Sequence, residues 1–342
     1  MKERVKAVYL EEPDSGGSSG SSAVDIIKSK NVAIRTEAKR SGLTQSRKES
    51  IAGWLFISPW FIGFAVFTLG PLLYAIVLSF FQWDFIQDPR FIGLRNFERM
   101  FGDKLFWQSL KVTVTYGTMR VPMGILVGIG AAILLNQRVK LLGLWRVLYY
   151  LPVILPPVAT TLMWMWIYNP RYGVINNFLW QVFHVQGPAW LQDQRLVLPS
   201  FMVMAVWGAM GRNMLIYLSG LQGISRELYD AADVDGAKSP AKFFYITLPM
   251  LSPVIFFNLI TGMIDVFHLF SQAYIMTEGG PRNASLFFYY YMFRFISERL
   301  QVGYAAAMSL FVFILIMGLT VLVFRSSSAW VYYEGEVKGR KE

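Results

Sequence analysis

Six blocks of this chain are apolar and almost free of charge over the length a bilayer crossing requires. A spanning helix takes about 20 such residues. Residues 51–83, 147–168 and 302–324 contain no Asp, Glu, Lys or Arg; residues 112–136 contain only Arg120, 196–221 only Arg212 and 251–277 only Asp265. In hydrocarbon, backbone N–H and C=O groups must pair inside a helix or around a closed barrel. The alternating pattern of a barrel is missing. Buried helices of a large soluble protein would need amphipathic helices to cover them, and the sequence offers none. The expected fold is therefore all-α, a polytopic membrane protein with six transmembrane helices.

Composition excludes other classes. Only 16% of the 342 residues are charged and 54% are apolar, where a soluble domain is roughly a quarter charged. Without cysteine there is no thiolate nucleophile and no cysteine zinc site, and two histidines, His184 and His268, leave little for a metal centre. No metal and no cofactor are expected on this chain. A net charge of +10 would suit nucleic acid, but basic ends of a membrane protein give the same balance, and no nucleic-acid partner is expected.

Lys and Arg set the orientation. The segments before residue 51, at 137–146, 222–250 and 325–342 together hold 20 basic residues, and the opposite side holds 10. Cytoplasmic segments carry this excess, so both termini are expected in the cytoplasm of a bacterial or archaeal cell, with the chain in its inner or plasma membrane. The short 137–146 loop, with Arg138, Lys140 and Arg146, is the strongest evidence. Three regions are expected: a basic tail over 1–50, a transmembrane core over 51–325 and a second tail over 326–342. Residues 14–22 read as a flexible linker by composition. The basic stretch at 28–48 fits either contact with anionic lipid heads or a solvated topogenic tail. Trp54, Trp60, Trp83, Trp145, Trp164 and Trp166 lie near span ends, as interfacial anchors do.

Residues 225–249 read as a helix–turn–helix between the fourth and fifth spans. Ser225 is placed to cap a helix that begins Arg226-Glu227-Leu228-Tyr229-Asp230-Ala231-Ala232, with acidic residues near the positive end of its dipole. Gly236 stops it, and Ser239-Pro240 reads as a cap and first helical position of a second helix. That helix runs through Phe243, Phe244 and Ile246 to Leu248-Pro249. An exposed apolar patch here would mark a partner site; packing on the chain's own spans is the alternative.

The spacing Asp230-Ala231-Ala232, three residues, Gly236, nine residues, Ile246, one residue, Leu248-Pro249 resembles the EAA loop of ABC-importer permeases. Asp230 stands where that pattern has Glu; it keeps the charge on a shorter arm, and Glu227 lies one turn earlier. Met214 to Gln222, Asp235-Gly236-Ala237, Thr277 to Pro281, Gly53-Trp54-Leu55-Phe56 with Pro59, and Gly70-Pro71 are similar to the carbohydrate, maltose-type branch of these permeases. The resemblance covers roughly residues 50 to 325. It implies that the loop, with Glu227, Tyr229, Asp230, Ala231, Ala232, Asp235, Gly236, Phe243, Ile246, Leu248 and Pro249, docks on a separate ATPase subunit that binds ATP and Mg. It further implies a second permease subunit, an extracellular solute-binding protein, and a sugar moved by alternating access. The chain has no G-x-x-x-x-G-K-[ST] phosphate loop, so no enzymatic activity is expected of it.

In the fifth span Asn258, Thr261, Asp265, His268 and Gln272 are spaced to share one helix face. A polar stripe in a span faces protein or a wet cavity. It reads either as a sugar-lining surface or as a hydrogen-bonded helix seam, worth about 1 kcal/mol per bond. Asn213 and Tyr217, four residues apart in the fourth span, can face the same space. Counting about 1.5 Å of rise per residue from the inner ends, Asp265 sits at about 21 Å, Arg120 at about 24 Å and Arg212 at about 14 Å. Asp265 is therefore expected to pair with Arg120 first and Arg212 second. Pro152, Pro156 and Pro157 interrupt the third span. The alternatives are a glycerol-phosphate-type ABC permease, whose anionic substrate calls for basic residues along the path, and a self-contained proton-coupled transporter, which calls for more spans and a repeat.

Overall fold

The computed structural model describes residues 45–137 and 140–332. The 14–22 linker, most of the 28–48 basic stretch, Arg138 and the end of the second tail lie outside the described residues. The chain divides into two compact units at Leu69 and Gly70. In the first, α1 (Gln45–Phe64) is followed by a π-helical turn, Ala65–Leu69. Trp54 and Trp60 on α1 are exposed, as anchors at a lipid interface are.

The second unit begins with α2 (Gly70–Leu78) and a two-stranded antiparallel hairpin, β1 (Phe81–Gln82) and β2 (Arg90–Phe91), with Phe81 opposite Phe91. The all-α expectation did not include this hairpin. The short α3 (Arg95–Gly102) leads into the long α4 (Lys104–Asn136). Then come α5 (Leu142–Ile154), α6 (Pro157–Ile167), α7 (Val174–Phe183) and α8 (Val197–Gln222). After the 225–249 loop follow α12 (Ser252–Phe267), α13 (Phe288–Ser297) and α14 (Val302–Trp330); the loop's own helices are α9 to α11. Four stretches are long and apolar enough to cross a membrane: Glu49–Leu78, Lys104–Asn136, Val197–Gln222 and Val302–Trp330. Two bent pairs raise the number to as many as six if each is one span: Leu142–Ile154 with Pro157–Ile167, and Ser239–Met250 with Ser252–Phe267.

Asp103 fixes the start of α4. Its side chain accepts from the Leu105 backbone N–H at 2.9 Å, and from the Tyr291 and Tyr304 hydroxyls at 2.5 and 3.2 Å. One carboxylate thus caps α4 and holds α13 and α14 to it. Burial pushes the Tyr291 phenol well above its usual range, and the bond to Asp103 adds to this. Around this point lies an aromatic core. Tyr116 meets Phe287 edge-on at 5.1 Å, and Phe201 stacks on Phe287 at 6.0 Å. Trp164 belongs to this core: it is buried and edge-on to Trp207 at 5.6 Å. It is not an interfacial anchor, because the bend after α5 turns that part of the chain inward.

Lipid tails are as apolar as leucine, so helices in a membrane associate through close packing at small residues. α8 lies between α4 and α5 in this way. A Cβ on Gly128 of α4 would stand 2.8 Å from the Asn213 Cβ and 3.0 Å from the Tyr217 ring of α8; a Cβ on Gly211 of α8 would stand 2.4 Å from the Tyr149 carbonyl oxygen of α5. The Gly211 contact is with backbone and cannot be relieved by a rotamer. Gly211→Val is expected to separate α8 from α5 at a cost of about 1–3 kcal/mol, read as a lower thermal midpoint and lower membrane accumulation than the wild type. Gly130→Val, at a site with open space, should leave both unchanged.

Candidate functional site

The 225–249 loop folds as two short helices joined by a glycine turn. The Ser225 hydroxyl accepts from the Glu227 N–H at 3.3 Å and caps α9 (Arg226–Val234). Gly236 ends it with φ +73°, a conformation side chains resist, while the Ala237 N–H donates to the Ala232 carbonyl at 2.8 Å. α10 (Ser239–Lys242) starts from Lys238 without a side-chain cap. Ser239 is therefore the first helical residue and not the cap. The preference for a proline early in the helix is met by Pro240 one position later than expected. A π-helical turn, Phe243–Thr247, leads to α11 (Leu248–Met250). An ion pair between Lys242 and Asp233 ties α10 to α9.

The loop has two faces. On the inner one, the Tyr229 hydroxyl shares a 2.9 Å bond with the Thr247 hydroxyl. Tyr229, Phe243 and Ile246 pack on a buried cluster from the spans that includes Ile129, Tyr217, Leu221 and Leu251. Leu248 and Pro249 are half-buried, and Ala232 turns partly inward. On the outer face Leu228, Ala231, Val234, Phe244 and Tyr245 are exposed, Val234 at 89% and Tyr245 at 83%. Glu227, Asp230 and Asp235 are exposed beside them. Val234 and Tyr245 were not singled out by sequence; the signal was the i, i+3, i+6 spacing of Leu228, Ala231 and Val234.

The second feature is a cavity where two spans break. Leu155 precedes Pro156, and Pro156 precedes Pro157, so both are pushed to extended backbone. Their ψ angles are 133° and 139°, and α5 meets α6 at 99°. α12 ends at Phe267 and the chain resumes helically only around the π-helical turn Ala273–Thr277. Between these breaks lies a cavity of about 450 Å³. Its lining includes Arg120, Thr160, Arg212, Asp265, His268, Phe270 and Gln272. A small cavity of about 30 Å³ shares Arg120 and Arg212 with it, and Asn213, Asn258 and Thr261 line its wall.

All five residues of the polar stripe therefore border one or other cavity, although the helix carrying them ends before Gln272. Asn258 and Thr261 turn hydrogen bonds back to the Val254 and Phe257 carbonyls. The Nδ1 of His268 lies 3.0 Å from the Ile264 carbonyl oxygen. Asn213 donates to the Gly124 carbonyl at 3.3 Å. Tyr217 borders neither cavity: it is fully buried against α4, where Gly128 leaves room for its ring. Thr160 was not among the site residues read from sequence; it could have been found as a hydroxyl beside the proline break.

The expected order of ion pairing is corrected. Asp265 pairs with Arg212, Nη2 to Oδ2 at 2.9 Å, whereas Arg120 reaches only the Gly262 carbonyl, at 3.5 Å. Depth counted along straight parallel axes fails because the chain bends by 62° just before α12. The side chains of the pair are 52% and 41% exposed, so water or solute in the cavity reaches them.

Several known proteins are similar to this chain. Residues 124–331 match the family described as binding-protein-dependent transport system inner membrane component. The probable ABC transporter permease protein YesP of Bacillus subtilis (strain 168) is 41% identical over 85% of this chain and 94% of its own length. The lactose transport system permease protein LacF of Rhizobium radiobacter is 34% identical over 84% and 97%. Among solved structures, a bacterial ABC transporter involved in import of the acidic polysaccharide alginate superposes with a TM-score of 0.71 at 22% identity, covering 84% of this chain and 99% of that one. That likeness is one of fold.

Removing one partner of the ion pair leaves a charge unpaired within a span. Asp265→Asn and Arg212→Gln are each expected to lower the thermal midpoint of the detergent-solubilised protein, and the double variant to recover more than half of either loss. Additive losses would mean that the two side chains do not interact in the folded protein.

Proposed function

The chain belongs to the family of binding-protein-dependent transport system inner-membrane components, and on that footing we propose that it is the saccharide-carrying permease of an ATP-driven importer. It works beside a second permease subunit, on ATPase subunits that bind ATP and Mg, and receives its cargo from an extracellular solute-binding protein. Both termini and the 225–249 loop lie in the cytoplasm.

The observation that carries this reading is the two-faced loop. Its inner aromatic residues lock it to the spans, and its outer apolar ridge is left uncovered. An uncovered apolar ridge flanked by carboxylates is a docking surface, and the ATPase subunit is its occupant. The mixed cavity supports a saccharide cargo. Thr160, His268 and Gln272 offer donors and acceptors for hydroxyls, and Phe270, stacked with Tyr274 at 5.3 Å, offers an apolar ring face to a sugar. Relatives named for lactose and for trehalose and maltose transport agree with that cargo. A proton relay through Asp265 is disfavoured because Arg212 already holds its carboxylate.

The chain has no cysteine, so a single introduced thiol reports one position. In membranes containing the whole importer, Val234→Cys is expected to cross-link to the ATPase subunit, while Tyr229→Cys, facing the spans, is not. A Val234→Cys variant that transports normally yet never cross-links would remove the loop from the coupling path.

A further inference from the structure

Arg120 forms no ion pair among the described residues. It lines both cavities, deep in α4, and its hydrogen bond to the Gly262 carbonyl, at 3.5 Å, occupies one of five guanidinium donors. Asp265 is the one carboxylate bordering either cavity, and Arg212 already engages it. The walls thus hold two guanidinium groups and one carboxylate, a surplus of one positive charge. An uncompensated cation at this depth is costly, and such residues mark a solute path. A second group points the same way. Thr160 lines the larger cavity, and its hydroxyl is buried with no hydrogen-bond partner, which a folded protein rarely tolerates unless something else satisfies it.

We propose that the saccharide carried through this cavity is acidic, bearing a single uronate-type carboxylate that docks on Arg120, with a neighbouring sugar hydroxyl bonding Thr160. The inference rests on the saccharide-permease reading and deepens it. A guanidinium presents two parallel N–H groups at the spacing of carboxylate oxygens. One carboxylate cancels the surplus charge of the walls. A phosphate ester, at close to two negative charges near neutral pH, overcompensates it, and a neutral sugar leaves it uncovered. The ion pair of Arg212 and Asp265 remains intact beside the docked carboxylate and confines the free positive charge to Arg120.

The test is ATP hydrolysis by the complete importer in proteoliposomes, with its binding protein. The probes are a panel of trisaccharides that each contain one uronic-acid residue, the carboxyl-reduced neutral form of each, and a sugar phosphate. At least one uronide is expected to stimulate hydrolysis while its reduced form and the sugar phosphate do not. Arg120→Gln should cut that stimulation about tenfold or more, with Arg120→Lys intermediate and binding of the uronide to the isolated binding protein unchanged. Stimulation by neutral sugars but by no uronide, undiminished in Arg120→Gln, would overturn the acidic cargo and leave the saccharide permease standing. Stimulation by the sugar phosphate alone would overturn it in favour of a phosphorylated cargo. Loss of the permease–permease complex in Arg120→Gln would assign the guanidinium to the subunit interface and overturn it as well. Stimulation by no saccharide of either kind would sink the underlying reading too.

Discussion

A backbone amide in hydrocarbon has no water to fall back on. Every departure from helix within a span must therefore be paired by protein or open onto a wet space. Two of this chain's departures lie at Leu155–Pro156 and after Phe267. Both departures border the same cavity, of about 450 Å³. The first follows directly from covalent chemistry, since two consecutive prolines force two extended residues. The second leaves His268, Phe270 and Gln272 at the cavity wall. The site exists because the membrane penalises such breaks everywhere else.

Two of the helices that wall the cavity also hold the loop. α8 runs from Arg212 at the cavity to Gln222, about 15 Å along its axis, and hands over to Ser225 and α9. α12 starts just after the loop and carries Asp265 back to Arg212, where a 2.9 Å ion pair closes the circuit. Between the two ends, Tyr217, Leu218, Leu221 and Leu251 form a buried cluster on which Tyr229, Phe243 and Ile246 of the loop rest. In the proposed function, a load applied at the outer ridge of the loop passes through these contacts to α8 and α12, and so to the charge pair joining them. Packed contacts of this kind shift between discrete arrangements and do not deform smoothly, which suits a gate with two states.

Much of this was legible in the sequence because the membrane constraint is strong and local. The apolar block read over 196–221 folds as the helix Val197–Gln222, and the block read from residue 302 as a helix that begins at Val302. The loop's turn at Gly236 and its cap at Ser225 follow from residues that do their work within a few positions. Features set by three-dimensional arrangement were not legible. The choice of Arg212 over Arg120 depended on a bend that no residue count contains. Trp164 reads as an interfacial anchor until the proline break folds it against Trp207. Tyr217 shares a face with Asn213 by spacing, yet Gly128 on another helix decides that it packs instead of lining the cavity. The inward Tyr229 and outward Tyr245 are chemically alike, and only the tertiary fold separates lock from ridge.

The central claim is that the broken spans wall a path whose access follows the state of the distant loop. Ser271 lies on the second break and borders the cavity. In the complete importer, a Ser271→Cys thiol is expected to react with a membrane-impermeant maleimide at rates differing by about tenfold or more between nucleotide-free and ATP-trapped states. Equal rates in the two states, in an importer that still transports, would contradict the account.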